Sequence, residues 1–253
     1  MRMLLPEPRE TLTDDDLDAA YSWPTDGQPW LRANMVSTAD GAARSPDGRS
    51  EGISSAVDKR VFGRLRAYCD VVLVGAGTAR AEGYRPARVR PAVAPVRLAR
   101  GQSEVPAIAV VSRSLHLDLA SELFAQARVR TLVVTCGTAD PVLLARTREV
   151  ADVVVAGADD VDLPAALAAL RERGLAHVLA EGGPQLLADL AAGSLLDELD
   201  LTVSPLLAGG SYPDLPRLPR ILDGASLAQP PLALRLRHVL EDEGTLFLRY
   251  DRS

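Results

Sequence analysis

Cysteine and histidine are scarce in this chain of 253 residues, and their scarcity argues against two classes of protein. Cys69 and Cys136 are the only cysteines, and they form no Cys-x-x-Cys pair and have no histidine nearby at the spacing of a metal ligand. We therefore expect neither a disulfide scaffold nor a structural zinc site. Two isolated thiols of this kind are expected to stay reduced in a cytosol.

Long apolar runs and an excess of positive charge are also absent. No apolar run approaches the roughly 18 residues that suggest a membrane span, and Pro6 and Pro8 interrupt the first run before the core of a signal peptide forms. The formal net charge is −6, which gives no general affinity for nucleic acids or anionic membranes. These absences predict a cytoplasmic protein without nucleic-acid or membrane partners.

What the chain does contain is an alternation of short apolar runs with helical segments. The runs are rich in Val, Ile and Leu, which is typical of buried strands in a parallel sheet. They are Leu31–Val36, Val71–Val74, Ala107–Val111, Thr131–Val134, Val153–Val155 and His177–Ala180. Pro141, Pro164 and Pro184 stand where the first turn of a helix tolerates proline. The alternation predicts an α/β fold with a mostly parallel sheet and helices on both of its faces.

The C-terminal part of the chain follows a different pattern. Leu232–Leu240 and Thr245–Tyr250 alternate on either side of a short polar turn, which predicts an antiparallel hairpin and hence a mixed sheet. Leu199–Val203 is interpreted as a hydrophobic edge strand, and Arg85–Gln102 as a mobile loop near the site. We expect an N-terminal arm over residues 1–30, followed by a single domain over residues 31–253.

Three strand ends carry residues suited to chemistry. The turn Gly75–Thr78 exposes the N–H groups of a helix start, although Arg80 replaces the third glycine of a dinucleotide fingerprint. The turn Glu181–Pro184 puts a carboxylate at the carboxyl end of a strand, where open α/β sheets bind ligands, followed by a double glycine. Ser37–Gly41 ends in an Asp-Gly turn. Each of the three is also compatible with a purely structural role.

Together these stretches resemble the pyrimidine reductase domain of riboflavin biosynthesis, which has the dihydrofolate reductase-like fold. The resemblance extends from Leu31 to Tyr250. The motifs that carry it are Asn34–Gly41, Arg64–Ala67, Val74–Thr78, Glu181–Pro184, Leu196–Leu199 and Ser204–Gly210. It implies an NADPH-dependent oxidoreductase that forms a homodimer. The His-x-Glu and Pro-Cys-x-x-Cys motifs of the zinc deaminase often fused to this domain are missing, so no metal is expected.

The resemblance implies that NADPH binds across the two glycine turns. The positions that match the family's cofactor contacts are Thr38, Gly75, Ala76, Gly77, Thr78, Glu82, Gly182, Gly183, Pro184, Gln185 and Leu186. The family also uses a serine after the following strand, here Ser112, which stands beside Arg113. An Arg-Ser pair at a strand end suits a 2′-phosphate, and this favours NADPH over NADH.

The reaction implied by the resemblance is hydride transfer from nicotinamide C4 to ribose C1′ of a 5-amino-6-(5-phosphoribosylamino)uracil-type substrate. The positions that match substrate contacts are Asn34, Ser50, Arg66, Arg88 and Glu181. Among the candidate catalytic residues, Glu181 is expected to hold polar groups of the substrate. Asp40 is expected to position the rim of the site and is the reserve candidate for proton handling.

Three departures from the family pattern leave the substrate open. Gly52 stands where the family often has a bulky residue, and Glu82 replaces an aspartate. Residues 84–88 do not reproduce the pattern that supplies a substrate arginine. The alternatives are a dihydrofolate or pterin reductase of the same fold, and an NADPH-binding protein that has lost turnover.

Overall fold

The computed structural model describes residues 1–209, 217–224, 227 and 231–253. The strands are β1 (Arg2–Leu5), β2 (Trp30–Thr38), β3 (Val71–Gly75), β4 (Ala107–Val111), β5 (Leu132–Thr135), β6 (Asp152–Val155), β7 (His177–Ala180), β8 (Glu198–Ser204), β9 (Leu234–Asp242) and β10 (Thr245–Arg252). The helices are α1 (Asp14–Ala20), α2 (Ala56–Tyr68), α3 (Ala76–Ala81), α4 (Val93–Ala99), α5 (Glu122–Ala125), α6 (Pro141–Val150), α7 (Leu163–Arg171) and α8 (Pro184–Ala192). None of these helices is both long and apolar enough to cross a bilayer.

The chain divides into two compact units, and the first consists of Met1–Trp23, Leu31–Leu65 and Glu181–Ser253. Its strands lie in the order β1-β9-β10-β8-β2. β9 and β10 form an antiparallel hairpin, as the alternating pattern predicted, and β1 pairs antiparallel with β9. β8 runs parallel to β2, so the sheet of this unit is mixed.

The prediction of an edge strand at Leu199–Val203 is wrong. These residues belong to β8, which pairs on one side with β2 and on the other with β10. β10, the second strand of the C-terminal hairpin, pairs with the side of β8 that was expected to lie unpaired at the edge of the sheet. Gly210, the last residue of the motif that begins at Ser204, lies outside the described residues.

The second unit consists of Pro24–Trp30 and Arg66–Ala180. Its strands lie in the order β7-β3-β4-β5-β6, and every neighbouring pair is parallel. The apolar run of β3 is buried, which is why it lacks the alternation of a strand with one wet face. Asp140 and Asp162 cap α6 and α7 ahead of first-turn prolines. The predicted α/β class, with mostly parallel strands and an antiparallel C-terminal hairpin, is confirmed.

The prediction of a loop over Arg85–Gln102 is wrong in part, because α4 forms inside it. The reason is Arg97, whose side chain is fully buried although its neighbours suggested an exposed segment. Its guanidinium donates hydrogen bonds to the carbonyl oxygens of Ala67, Cys69 and Ser103 at 2.7 to 2.9 Å. These bonds offset the desolvation of the charge and hold the segment against the unit.

Two arginines of the first unit, one fully buried and one partly buried, hold its N-terminal residues in place. Arg32 is fully buried, and its Nε lies 2.5 Å from Oε1 of Glu198. Its other guanidinium nitrogens donate to the carbonyl oxygens of Tyr21 and Ser22 at 2.8 and 3.0 Å. Arg249 donates to the carbonyl oxygen of Ala20 at 2.5 Å. The division into an arm over residues 1–30 and a domain over residues 31–253 stays a prediction.

Candidate active site

β2 ends in a turn whose aspartate fixes two loops of the first unit. The Thr38 hydroxyl donates to Oδ1 of Asp40 at 2.5 Å, and the N–H groups of Ala208 and Gly209 donate to its carboxylate at 3.1 and 2.7 Å. These bonds, led by the one from Thr38, hold the pKa of Asp40 below its ordinary value. At neutral pH the Asp40 side chain is therefore an ionised carboxylate whose oxygens already accept three hydrogen bonds. This geometry suits a residue that holds the two loops in place better than one that donates a proton.

Thr38 is buried by the same turn. Its hydroxyl oxygen accepts a hydrogen bond from the N–H of Ala42 at 3.0 Å, and the same hydroxyl donates one to Asp40. The hydroxyl therefore already acts as both donor and acceptor in this buried turn. A cofactor contact by Thr38 would have to share these bonds or use the backbone.

Glu181 and the double glycine lead into α8. Glu181 is only 8% exposed, so its carboxylate is largely removed from water. Gly182 has a φ of +82°, and the peptide bond between Gly182 and Gly183 is cis. A Cβ at Gly182 would lie 3.1 Å from Sδ of Met35, so backbone conformation and close packing both favour glycine there. Gly183 is the N-cap of α8 and Pro184 its first residue.

The next two predicted cofactor residues differ in their surroundings. Gln185 is exposed at the first turn of α8, whereas Leu186 lies in the core. Leu186 can therefore meet a ligand only through its backbone.

The predicted substrate residues of the first unit lie on β2 and ahead of a short 3-10 helix over Glu51–Ile53. Asn34 is half-buried in the middle of β2. The carbonyl oxygen of Ser50 accepts the N–H of Ile53 at 3.0 Å, which closes this helical turn. A Cβ at Gly52 would lie only 2.5 Å from Oγ of Ser45, so that serine occupies the space of a larger residue.

In the second unit, the first glycine turn opens at the carboxyl end of β3. Gly75 is the N-cap of α3, and Ala76 is the first residue of that helix. A Cβ at Gly75 or Gly77 would meet no atom within 4 Å, and neither residue has a positive φ. Neither glycine is therefore required by packing or by backbone conformation. Thr78 is half-buried, and its carbonyl oxygen accepts the N–H of Glu82 at 2.9 Å, which ends the helix.

Ser112 and Arg113 leave the sheet directly beside this turn, because Gly75 pairs in register with Val111. Ser112 is buried, and its Oγ accepts the N–H of Leu115 at 3.1 Å, which bends the chain after β4. Arg113 is well exposed at the bend. Ser112 thus acts on the shape of the turn, and Arg113 is the residue of the pair that faces solvent.

A pocket of about 360 Å³ lies at the carboxyl ends of β4, β5 and β6. Arg113 contributes to its wall, together with polar and apolar residues of three loops. The lining residues are Arg113, Ser114, His116, Thr138, Ala139, Asp140, Leu143 and Asp159. The lining supplies a guanidinium, an imidazole, hydroxyls and carboxylates, as well as an apolar wall. The guanidinium and the hydroxyls suit a phosphate group, whereas the carboxylates suit hydrogen-bond donors.

The two arginines predicted to bind substrate lie in the second unit. The guanidinium of Arg66, in the last turn of α2, lies 5.4 Å from the centre of the Tyr84 ring. This stacking fixes the side chain of Arg66 on an aromatic face. Arg88 is exposed in the segment between α3 and α4.

Sequence reasoning missed five polar residues of the pocket, namely Ser114, His116, Thr138, Asp140 and Asp159. Each lies about three to five residues beyond the end of a parallel strand, where such sheets bind ligands. Applying that rule to every strand end, and not only to the glycine turns, would have found them. The buried carboxylate of Glu181, by contrast, was singled out from the sequence.

The chain is similar to a known protein family and to named enzymes. A family model described as the RibD C-terminal domain matches residues 29–246. The chain is 28% identical over 199 residues to the 2,5-diamino-6-ribosylamino-4(3H)-pyrimidinone 5′-phosphate reductase of Archaeoglobus fulgidus, covering 79% of this chain and 88% of that protein. A protein of the same name from Methanothermobacter thermautotrophicus is 30% identical, covering 72% of this chain and 81% of that protein.

Solved structures with a similar fold include two reductase-type proteins. A pyrimidine reductase-like protein of Corynebacterium diphtheriae superposes with a TM-score of 0.81 at 25% identity, covering 94% of this chain and 98% of that one. The riboflavin biosynthesis reductase Rib7 of Saccharomyces cerevisiae gives a TM-score of 0.59 at 17% identity, covering 93% and 95%. The second likeness shows a shared fold alone.

Proposed function

The chain belongs to the family of the RibD C-terminal domain, and from that premise we propose that it is an NADPH-dependent pyrimidine reductase of riboflavin biosynthesis. Its similarity to named reductases makes it an oxidoreductase. The proposed substrate is a 6-ribosylamino-pyrimidine 5′-phosphate of the 5-amino-6-(5-phosphoribosylamino)uracil type, reduced at ribose C1′. The observation that carries the proposal is the pocket at Arg113, beside the open glycine turn of the second unit.

The residues present in the second unit fit a phosphorylated dinucleotide. The open space at Gly75 and Gly77 admits a pyrophosphate close to the backbone. Arg113 presents an exposed guanidinium for a 2′-phosphate, which an NADH molecule lacks. Ser114 and Thr138 add hydroxyls to the same pocket. These features support the proposal of NADPH as the cofactor, with its adenosine end in this pocket.

When bound, NADPH supplies the hydride for the reduction. Glu181 holds polar groups of the substrate, because a carboxylate that is 8% exposed binds a donor strongly in its low-dielectric surroundings. Asp40 fixes the turn after β2 through its bonds to the loop at Ala208 and Gly209. Asn34 and Ser50 supply neutral hydrogen-bonding groups, and Arg66 and Arg88 are the candidates for the substrate phosphate.

The proposed homodimer uses a sheet face of the first unit instead of a sheet edge. Leu201 and Val203 of β8 pair in register with Leu248 and Leu246 of β10, so all four side chains point to the same face. All four are half-exposed, and an apolar sheet face of this kind suits a second copy. Light scattering of the chain in solution checks the proposal, and a monomer at micromolar concentration would contradict it.

The experiment that tests the function measures NADPH oxidation with the pyrimidine and, separately, with dihydrofolate. We expect turnover with the pyrimidine, and Glu181→Gln should lower kcat/KM about tenfold to a hundredfold through the lost charge-assisted hydrogen bond. Glu172→Gln, which removes the same charge from an exposed residue at the end of α7, serves as the control. Turnover with dihydrofolate alone would show a pterin reductase. Tight NADPH binding without turnover of either compound would show that the chain is not a reductase.

A further inference from the structure

The pocket at Arg113 carries negative as well as positive charge. Asp140 and Asp159 both line it, but they are used differently. Oδ1 of Asp140 accepts the N–H groups of Val142 and Leu143 at 2.8 and 3.0 Å, so this carboxylate is committed to the cap of α6. The cap of α7 is Asp162, and Asp159 therefore brings to the wall of the pocket a second carboxylate that neither helix start uses.

The turn that carries Asp159 and Asp160, here named the acidic turn (residues 159–160), is held in place. Gly157 has a φ of +89°, and a Cβ there would lie 2.1 Å from the carbonyl oxygen of Asp160, so only glycine allows this turn. The N–H of Thr138 donates to the carbonyl oxygen of Ala158 at 3.0 Å, and its hydroxyl donates to that of Asp159 at 3.0 Å. The loop after β5 therefore fixes the two acidic residues beside the pocket.

The acidic turn also acts on Arg113 directly. Oδ2 of Asp160 lies 3.8 Å from Nη1 of Arg113, and the side chains are 75% and 67% exposed. A pair so exposed is weak and does not lock the guanidinium. It does, however, place a carboxylate within 4 Å of the guanidinium that the proposed function assigns to a 2′-phosphate, so a phosphate on Arg113 would have a like charge beside it.

We infer that the acidic turn is a determinant of cofactor selectivity that works against Arg113. This inference rests on the proposed function, because it concerns the adenosine end of the same dinucleotide. A 2′-phosphate that approaches Arg113 is repelled by the carboxylates of Asp159 and Asp160. The 2′-hydroxyl of NADH is not repelled, and it can donate a hydrogen bond to a carboxylate in the pocket. The chain therefore binds NADH as well as NADPH, with a smaller preference for NADPH than Arg113 alone would give.

The test compares Asp159→Asn and Asp160→Asn with Asp152→Asn. Asp152 is exposed at the opposite, amino end of β6, so its substitution makes the same change in net charge away from the pocket. Calorimetry measures the binding of NADPH, NADH, 2′,5′-ADP and 5′-AMP to each full-length variant. We expect Asp159→Asn and Asp160→Asn each to raise the affinity for NADPH and for 2′,5′-ADP about fivefold. The affinity for NADH and 5′-AMP should stay unchanged with Asp160→Asn and should fall with Asp159→Asn.

The outcomes separate this inference from the proposed function. The inference is overturned if the ratio of NADPH to NADH affinity in both variants of the acidic turn equals the ratio in Asp152→Asn. In that case the reductase proposal still stands, provided that the wild-type chain oxidises NADPH with the pyrimidine. If the wild-type chain binds neither dinucleotide nor 2′,5′-ADP, the inference and the proposed function both fail.

Discussion

Among single residues, Gly77 allows a test of whether a glycine is needed for the fold or for leaving space for a ligand. Its surroundings leave a Cβ free of any atom within 4 Å, and its φ is not positive, so folding does not require glycine there. We expect Gly77→Val to change the free energy of unfolding by no more than about 1 kcal/mol, since most residues suit a helix better than glycine does. The same substitution should weaken NADPH binding about tenfold or more, because the added side chain fills the space that the proposed function gives to the pyrophosphate.

The matched control for this prediction is Gly63→Val in α2. Gly63 is also an exposed glycine within a helix, and a Cβ there also meets no atom within 4 Å. Thermal unfolding and NADPH titration are measured on both variants. Equal NADPH affinities for Gly77→Val and Gly63→Val would show that the glycine turn has no part in binding the cofactor.

Individual residues also show how far sequence reasoning reaches into the site. Gly182 and Gly183 were singled out because a double glycine follows a carboxylate at the carboxyl end of a strand, where open α/β sheets bind ligands. The positive φ of Gly182 adds a conformational reason for glycine that the sequence pattern did not supply. Thr138 and Asp159 were missed because they lie in separate loops, which only the parallel order of β5 and β6 brings together. Ser112 follows β4 directly, but the sequence did not reveal that its hydroxyl oxygen accepts the N–H of Leu115.

At the scale of secondary structure elements, the sequence identified strands better than it identified their neighbours. The apolar run Val71–Val74 predicted β3 because burial on both faces removes any alternation. Strand order depends on where a distant hairpin returns, and for that reason β8 was placed at an edge although β10 covers it. α4 was missed because its stability comes from carbonyl oxygens that accept hydrogen bonds from Arg97, and composition does not encode such partners.

The pairing of β9 with β10 buries an imidazole beside two guanidinium groups, and this predicts a pH dependence of stability. Burial, together with the positive charges of Arg249 and Arg32, lowers the pKa of His238 to about 3. In the unfolded chain, a histidine binds its proton below about pH 6.5. Between these two values the unfolded state binds more protons than the folded state. Stability therefore falls as the pH drops, by about 1.4 kcal/mol per pH unit for this group.

The measurement that isolates this contribution is urea unfolding of the wild type and His238→Gln from about pH 6.5 down to about pH 4. Asp200 also titrates in this part of the sheet, but its pKa is raised by burial and by Glu198, so its contribution has the opposite sign. The difference between the wild type and His238→Gln removes such shared contributions. We expect the free energy of unfolding to change less steeply with pH in His238→Gln than in the wild type. For His116→Gln, at an exposed position, we expect the same slope as in the wild type. Equal slopes for the wild type and His238→Gln would contradict the assignment.

For the molecule as a whole, the question is whether the N-terminal residues 1–30 are part of the folded domain or an arm attached to it. The sequence suggested an arm, because the resemblance begins only at Leu31 and the preceding stretch is rich in proline and glycine. Within the first unit, however, Leu17 and Tyr21 are buried, and β1 extends the sheet beside β9. A motif search cannot detect this role, since it rests on carbonyl oxygens and apolar side chains that carry no catalytic signature.

We therefore expect a chain shortened to residues 31–253 to lose at least about 5 kcal/mol of stability. Leu12, Leu17 and Tyr21 are buried, and each such side chain contributes roughly 1.5 to 3 kcal/mol on burial. The truncation also removes the carbonyl acceptors of Arg32 and Arg249, which leaves one fully buried and one partly buried guanidinium group without these partners. Both losses act in the same direction.

Thermal and urea unfolding of the shortened and full-length chains measure this loss directly. A chain that begins at Pro6 is the control, because it lacks β1 but keeps α1 and the carbonyl groups of residues 20–22. We expect it to keep most of the stability, since β1 has only four residues and lies at the end of the sheet. If residues 31–253 unfold at the same urea concentration as the full chain, the arm is an appendage, and the boundary suggested by the resemblance is also the boundary of the folded unit.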